Sequence, residues 1–187
     1  MPTKKPERKQ RKLSTSDWLQ QGIEALRIYG IRGLNVEELA KFIGVTKGSF
    51  YWHFKDRRDF YAKLIQYWEY DFNTVMIEKI QSLSGSADER LKYLIELVLD
   101  EELGKYDFAI RSLAPFDDLA EQTVAKVDKQ RMGFARRLFE EMGFSKKEAA
   151  VRSRIFYLHF IGEFLVFKDK EERSMYISEK HKFFTSR

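Results

Sequence analysis

The sequence predicts an all-α fold, and three observations carry that expectation. After residue 6 the 187-residue chain contains one proline, Pro115, so little interrupts helical hydrogen bonding. Apolar residues return at three- and four-residue spacing along successive stretches. Ser, Asn and Asp stand where those stretches begin, and Gly stands where several of them end.

Taken in order, Ser14, Thr15 or Ser16 can cap a first helix carrying Trp18, Leu19, Ile23, Leu26 and Ile28, with Asp17 placed favourably in its first turn. Gly30 and Gly33 close it. Asn35 and Glu38 have the spacing of a capping box and open a short second helix whose apolar face is Val36, Leu39, Ala40 and Ile43. Gly44 breaks the chain again, and a third short helix runs from Thr46 to His53. A long fourth helix is expected from Arg57 to Leu83, with Phe60, Leu64, Tyr67, Trp68, Val75 and Ile80 inward. The segment SLSGSAD, Ser82 to Asp88, is the clearest linker. Beyond it, helices are expected near 87–104, 107–113, 117–142, 146–168 and 172–185. Gly143 suits a C-terminal cap, and Ser145 with Glu148 forms a second capping box.

Composition narrows the function. An apolar content of 43% suits a globular chain. The absence of cysteine excludes disulfides, thiol nucleophiles and Cys-ligated zinc. The most apolar stretch, Ile155 to Phe167, contains His159 and Glu163 and is too short for a membrane span. No secretory signal is apparent at the N-terminus, so a cytoplasmic protein is expected. The net charge of +5 resides in residues 1–12, where Lys4, Lys5, Arg8, Lys9, Arg11 and Lys12 face Glu7 alone; the other 28 basic and 28 acidic residues cancel. Such an arm suits a phosphate backbone or an anionic membrane; the alternative is a solvated terminus.

The segment GVTKGSFYWHF, residues 44–54, concentrates the functional signal. The helices either side of Gly44 have helix-turn-helix spacing, with Ala40 small enough for a close crossing. At about 100° per residue, Phe50 and Phe54 share the core side, while Gly48 and Trp52 point outward, flanked by Ser49 and Tyr51. An ordinary solvent face would carry Lys and Glu. Gly48 lets a backbone approach closely, and Thr46 and Lys47 suit phosphates. Tyr51 and His53 can donate to phosphate oxygens, Lys55 adds charge, and Trp52 offers a flat apolar surface. The alternative for Tyr51 and Trp52 is packing beneath the fourth helix.

These residues carry a resemblance. The stretch Trp18 to Phe60, with Gly33-Leu34-x-Val36, Glu38-Leu39-Ala40 and the run Gly44 to Lys55, resembles the DNA-binding domain of the tetracycline-repressor (TetR) family. The resemblance is dense over residues 13 to about 72, and its Tyr-x-His-Phe-Lys ending is the most specific part. It implies a homodimer on a palindromic double-stranded DNA operator, with the fourth helix joining the reading unit to a helical regulatory domain. It places Thr46, Lys47, Gly48 and Ser49 near bases and phosphates, and Tyr51, Trp52, His53 and Lys55 on the backbone. Many relatives carry Tyr at the position of Trp52 and Lys at that of Arg57. The expected organisation is a basic arm at 1–12, a DNA-binding domain at 13–72, and a ligand-sensing and dimerisation domain at 73–187.

The remainder is less specific. Phe156, Phe160, Phe164 and Phe167 share a helix side, and Tyr176, Ile177, Phe183 and Phe184 follow; a symmetric dimer interface is expected from them, with intramolecular core as the alternative. Tyr93, Phe108, Arg111, Phe116, Phe134 and Tyr157 are candidates for a pocket holding a small-molecule effector, or else core. Arg111 needs a partner if buried, from Asp117, Asp118, Glu163 or an acidic ligand. His159 and Glu163 have metal-ligand spacing but no second pair to complete a site. With no catalytic motif, neither enzyme activity nor a cofactor is expected. The expected function is a sequence-specific regulator, more in the manner of a repressor, released by an effector. The alternative is a helical carrier or protein-interaction domain whose helix-turn-helix does not bind DNA.

Overall fold

A computed structural model of the chain describes residues 13–186. The basic arm expected at 1–12 lies outside the described residues. Helix α1, Thr15–Tyr29, is capped by Ser14, whose hydroxyl accepts from the Asp17 N–H at 3.1 Å while the Asp17 carboxylate accepts from the Ser14 N–H at 2.7 Å. It buries Trp18, Leu19, Ile23 and Leu26 but leaves Ile28 exposed. A 3₁₀ turn, Gly30–Leu34, leads to α2, Val36–Ile43. A Cβ on Gly33 would lie 2.3 Å from the Ala25 carbonyl oxygen, so only glycine lets this turn lie against α1. Asn35 caps α2 through the Glu37 N–H at 2.9 Å, one residue earlier than the box expected with Glu38.

Gly44 ends α2 at φ 80°, in the left-handed region that glycine enters without a steric cost. Helix α3, Lys47–Phe50, is a single turn, shorter than the Thr46–His53 expected. The chain continues as a turn, with the N–H groups of His53 and Phe54 both donating to the Phe50 carbonyl. Asp56 caps α4, Arg57–Glu69.

The long bridge departs from the expectation in its middle. A π-helical turn, Tyr70–Thr74, separates α4 from α5, Val75–Ser82. It inserts one residue into the inward row. After Leu64 and Trp68 the buried positions are Asn73, Met76 and Ile80, so Val75, expected inward, is exposed. Ser86 and Glu89 form a capping box that starts α6, Ala87–Asp100. Helix α7, Leu103–Arg111, begins four residues before the expected start. Helices α8, Asp118–Glu141, and α9, Lys146–Val166, follow, the second opened by the Ser145–Glu148 box. The last expected helix is two pieces, α10, Lys170–Ser174, and α11, Ile177–Thr185, parted where Tyr176 adopts φ 62°.

Two apolar cores result. The first gathers Trp18, Leu39, Phe50, Phe54, Phe60, Leu64 and Trp68 with Ile110, Leu113 and Val127, so α7 and the first half of α8 pack against α1 and α4. The second holds Ile80, Leu91, Ile95, Leu99, Phe134, Phe139, Phe156, Phe160 and Phe184. Helix α8 runs through both. Phe156 and Phe160, expected at a dimer interface, are thus interior: the side of α9 that carries them faces α8 and α11. Phe164 is half-buried, and Phe167, Tyr176 and Phe183 are exposed.

Candidate nucleic-acid interface

The interface is built on a cluster of rings. Phe50 and Phe54 are buried beneath α4, with ring centroids 5.4 and 4.9 Å from Phe60. Trp18 of α1 meets Phe50 edge-on at 5.6 Å. These contacts fix the roll of α3 about its own axis. With Phe50 inward, Thr46, Lys47 and Gly48 are exposed and Ser49 is half-buried. Tyr51 is 54% and Trp52 88% exposed, so neither packs beneath α4.

Gly48 has open space around it: an added Cβ would meet only the Thr46 hydroxyl, at 3.9 Å. Among the described residues nothing requires a glycine there. Lys47 Nζ sits 2.6 Å from Glu37 of α2, and this fully solvated pairing lowers the Glu37 carboxyl and raises the Lys47 amine. His53 is half-buried, and its Nδ1 lies 3.1 Å from the Thr15 hydroxyl at the start of α1. Lys55 is exposed, its own N–H donating to Asp59. Of the eight expected residues, Thr46, Lys47, Gly48, Tyr51, Trp52 and Lys55 are exposed while Ser49 and His53 are half-buried, and Glu37 and Thr15 join them as the partners of Lys47 and His53. Nothing in the sequence signals either addition, because each meets its partner only through the crossing of separate helices.

The expected pocket is placed differently. A cavity of about 80 Å³ lies among α5, α6, α7, α8 and α9. Of the six candidates only Phe134 and Tyr157 line it. Tyr93 lies beneath Lys79, and Phe108 and Phe116 are exposed. Arg111 is held by Asp128 and by the Tyr157 hydroxyl, at 2.6 Å, rather than by Asp117, Asp118 or Glu163. Tyr157 donates in turn to Asp128 at 2.7 Å, and burial pushes its phenol pKa upward against the pull of Arg131 and Arg111.

The polar end of the cavity is Asp107 and Arg131. Asp107 accepts from Trp68 Nε1 at 3.0 Å and from Arg131 through both carboxylate oxygens. Arg131 also donates to the Phe72 carbonyl at 2.8 Å and to Asn73, and Asn73 donates to Gln130 at 2.6 Å. Burial opposes the Arg131 charge, and Asp107 outweighs it, leaving the Arg131 pKa above its ordinary value. These two residues were legible only as charges on otherwise apolar helix sides.

Glu163 is buried between His159, at 3.2 Å, and Lys180, at 2.6 Å. Among the described residues no three His, Asp or Glu side chains are grouped to hold a metal ion. No helix among them is long and apolar enough to cross a membrane.

Comparison with known proteins agrees with this geometry. Residues 19–64 match the family described as bacterial regulatory proteins, tetR family. Over 79 residues the chain is 30% identical to the HTH-type transcriptional regulator AcrR of Shigella flexneri, a match covering 41% of this chain and 37% of that protein. Among solved structures, reduced E. coli NemR superposes with a TM-score of 0.72 at 18% identity, covering 92% of this chain and 95% of that one. A TetR transcription regulator from Haloarcula marismortui gives 0.71 at 16%, covering 91% and 95%. At these identities the structural likeness is one of fold. Residues 19–64 of the chain are thus similar to the tetR family of bacterial regulatory proteins, the chain spans well under half the length of the AcrR it matches, and its all-helical fold is that of solved TetR-type regulators.

Proposed function

We propose that the protein is a sequence-specific, DNA-binding transcriptional regulator, a repressor that grips a palindromic operator as a homodimer and releases it when a small molecule occupies the cavity. The observation that carries the reading is the outer side of α3. Gly48 stands in open space beside an 88%-exposed Trp52, on a turn fixed from beneath by buried rings. A bare backbone flanked by Thr46 and Lys47 fits a major groove, and Tyr51, Trp52 and Lys55 fit the phosphates and sugars at its edge. A carrier would have no use for a Trp held in water.

Dimerisation is supported by α9. Val151, Ile155, Leu158 and Leu165 are exposed by 52–62%, and Gly162 stands in open space on the same row. Spacings of four, three, four and three residues make a continuous apolar seam of the kind that pairs helices. The switch is supported by Asp107 and Arg131, which line the cavity and also hold Trp68 and the π turn of the bridge. A ligand that fills the cavity beside them alters the seating of α4 and hence the separation of the two α3 helices.

The test is footprinting on the DNA flanking the protein's own gene, over a salt series, beside Lys47→Ala. The expected result is a protected palindrome that weakens steeply with salt and is lost in the variant. Absence of protection at every salt concentration, with and without cell extract as a source of ligand, would overturn the reading.

A further inference from the structure

We propose that the cavity takes an amphiphile, with one slender apolar chain inside and an anionic head group outside, in the basic groove behind Phe164. This names the ligand class for the effector site just proposed and rests on that reading.

The interior excludes a charged head. The lining is Met, Ile, Leu, Val, Ala, Gly and Phe apart from Asp107, Arg131 and Tyr157. Each of those three is committed: Asp107 to Trp68 and Arg131, Arg131 to Asp107, Phe72 and Asn73, and Tyr157 to Asp128 and Arg111. The two arginines and two aspartates balance, so a buried charge on the ligand would find no counter-charge and would lose its hydration. The part of the ligand that enters is apolar and uncharged.

The wall of the cavity at Phe164 is thin. Its ring lines the cavity on one side and a shallow surface groove on the other. It rests on the bare Cα of Gly104, where a Cβ would stand 2.2 Å from a ring carbon. Arg173 stacks over the same ring at 4.8 Å, so displacing Phe164 from beneath that cation would connect cavity and groove, and a head group in the groove would stand one ring's width from a chain in the cavity.

The groove is positive. Arg27, Lys105, Lys168 and Arg173 line it together with Phe108, Phe167 and Ala109. The carboxylates paired with them are Glu24, on Arg27, and Glu102, shared by Lys105 and Arg173. Arg173 is buried and spent on the Phe167 and Lys168 carbonyls, at 2.8 and 2.7 Å. Arg27, Lys105 and Lys168 reach the groove from α1, α7 and the segment that follows α9. An anion held by them touches both the DNA-reading unit, through α1, and the helices of the cavity.

The experiment is calorimetric titration of the full chain, without DNA, by octanoate, 1-octanol and octylamine, which share a tail and differ in head charge. Octanoate is expected to bind about tenfold more tightly than octanol, and octylamine more weakly than either. Lys168→Glu, on the surface, is expected to weaken octanoate roughly fivefold and leave octanol unchanged. Val98→Phe, which fills the cavity, is expected to abolish binding of all three. Octanol or octylamine binding as tightly as octanoate would overturn the anionic head. Silence from all three ligands, or binding indifferent to Val98→Phe, would overturn the cavity ligand. DNA takes no part in the titration, so a failed footprint leaves this result standing and a failed titration leaves the footprint standing.

Discussion

Gly48 separates folding from function at a single atom. An added Cβ meets nothing closer than 3.9 Å, and the residue sits in a helical turn, where alanine is preferred to glycine. Gly48→Ala is therefore expected to leave thermal stability unchanged or raise it by about 0.5–1 kcal/mol. On the proposed reading it weakens operator binding by at least about tenfold, since a methyl group then stands between backbone and groove. Unchanged affinity would mean that α3 does not enter the groove at this residue. His159 offers a second test. Burial lowers its pKa below the ordinary 6.5, Glu163 resists, and Lys180 adds to the lowering. The unfolded chain takes up this proton near pH 6.5 and the folded chain only at lower pH, so in that window the unfolded state binds more protons. Its contribution to stability is present above about pH 6.5 and is lost as pH falls through the folded value. In urea titrations at pH 7.5 and 5.5, His159→Gln should show a smaller fall in midpoint than the parent; an equal fall would show that His159 is protonated as readily when folded. The exposure of Trp52 was legible from a helical wheel, since one residue's direction follows from its neighbours. The partners of Lys47 and His53 were not, because Glu37 and Thr15 lie on other helices.

Among elements, the π turn shows where helical periodicity stops being informative. Caps at Ser14 and Ser145 and the glycine stop at Gly44 were readable because each depends on three or four consecutive residues. The extra residue at Tyr70–Thr74 depends on α8. Arg131 donates to the Phe72 carbonyl, satisfying a backbone group in the turn that has left α-helical register, and the Asn73 side chain donates to the Gln130 side chain. A periodic reading carried past Trp68 therefore put Val75 inside in place of Met76. Pocket residues failed for the same reason: Phe108 and Phe116 have the right chemistry but lie on the outer sides of their elements. The role of Arg131 can be measured. Arg131→Met keeps most of the side-chain volume but strands Asp107, which is 5% exposed. The expected loss is about 3–5 kcal/mol in equilibrium unfolding. Arg131→Met with Asp107→Asn should recover a large part of it, because the stranded charge is then gone. A single variant as stable as the parent would show that the pair does not hold the bridge.

For the whole molecule the decisive question is which side of α9 meets a second copy. From Ile155 to Val166 the helix is apolar on most sides, and its phenylalanines, recurring at four- and three-residue spacing, were the expected interface. Burial reverses the choice: Phe156 and Phe160 complete the chain's own second core, and the smaller Val151, Ile155, Leu158 and Leu165 are left in water around Gly162. A row of that length, unpaired in a single copy, is what a symmetric partner would cover, with Gly162 allowing the two α9 helices to approach closely. A dimer joined there would present two reading heads to one duplex. Leu158→Glu places a charge at the middle of this row and is expected to raise the dimer dissociation constant about 100-fold, near 3 kcal/mol, by sedimentation equilibrium. Because Leu158 is solvent-exposed in the single copy, the variant should keep the parent's helical signal while losing the operator footprint. Phe116→Ser, at an 89%-exposed ring on a different surface, is the control and should remain dimeric. A Leu158→Glu protein that still sediments as a dimer would move the interface off this row, to the exposed Phe167, Tyr176 and Phe183 nearer the C-terminus.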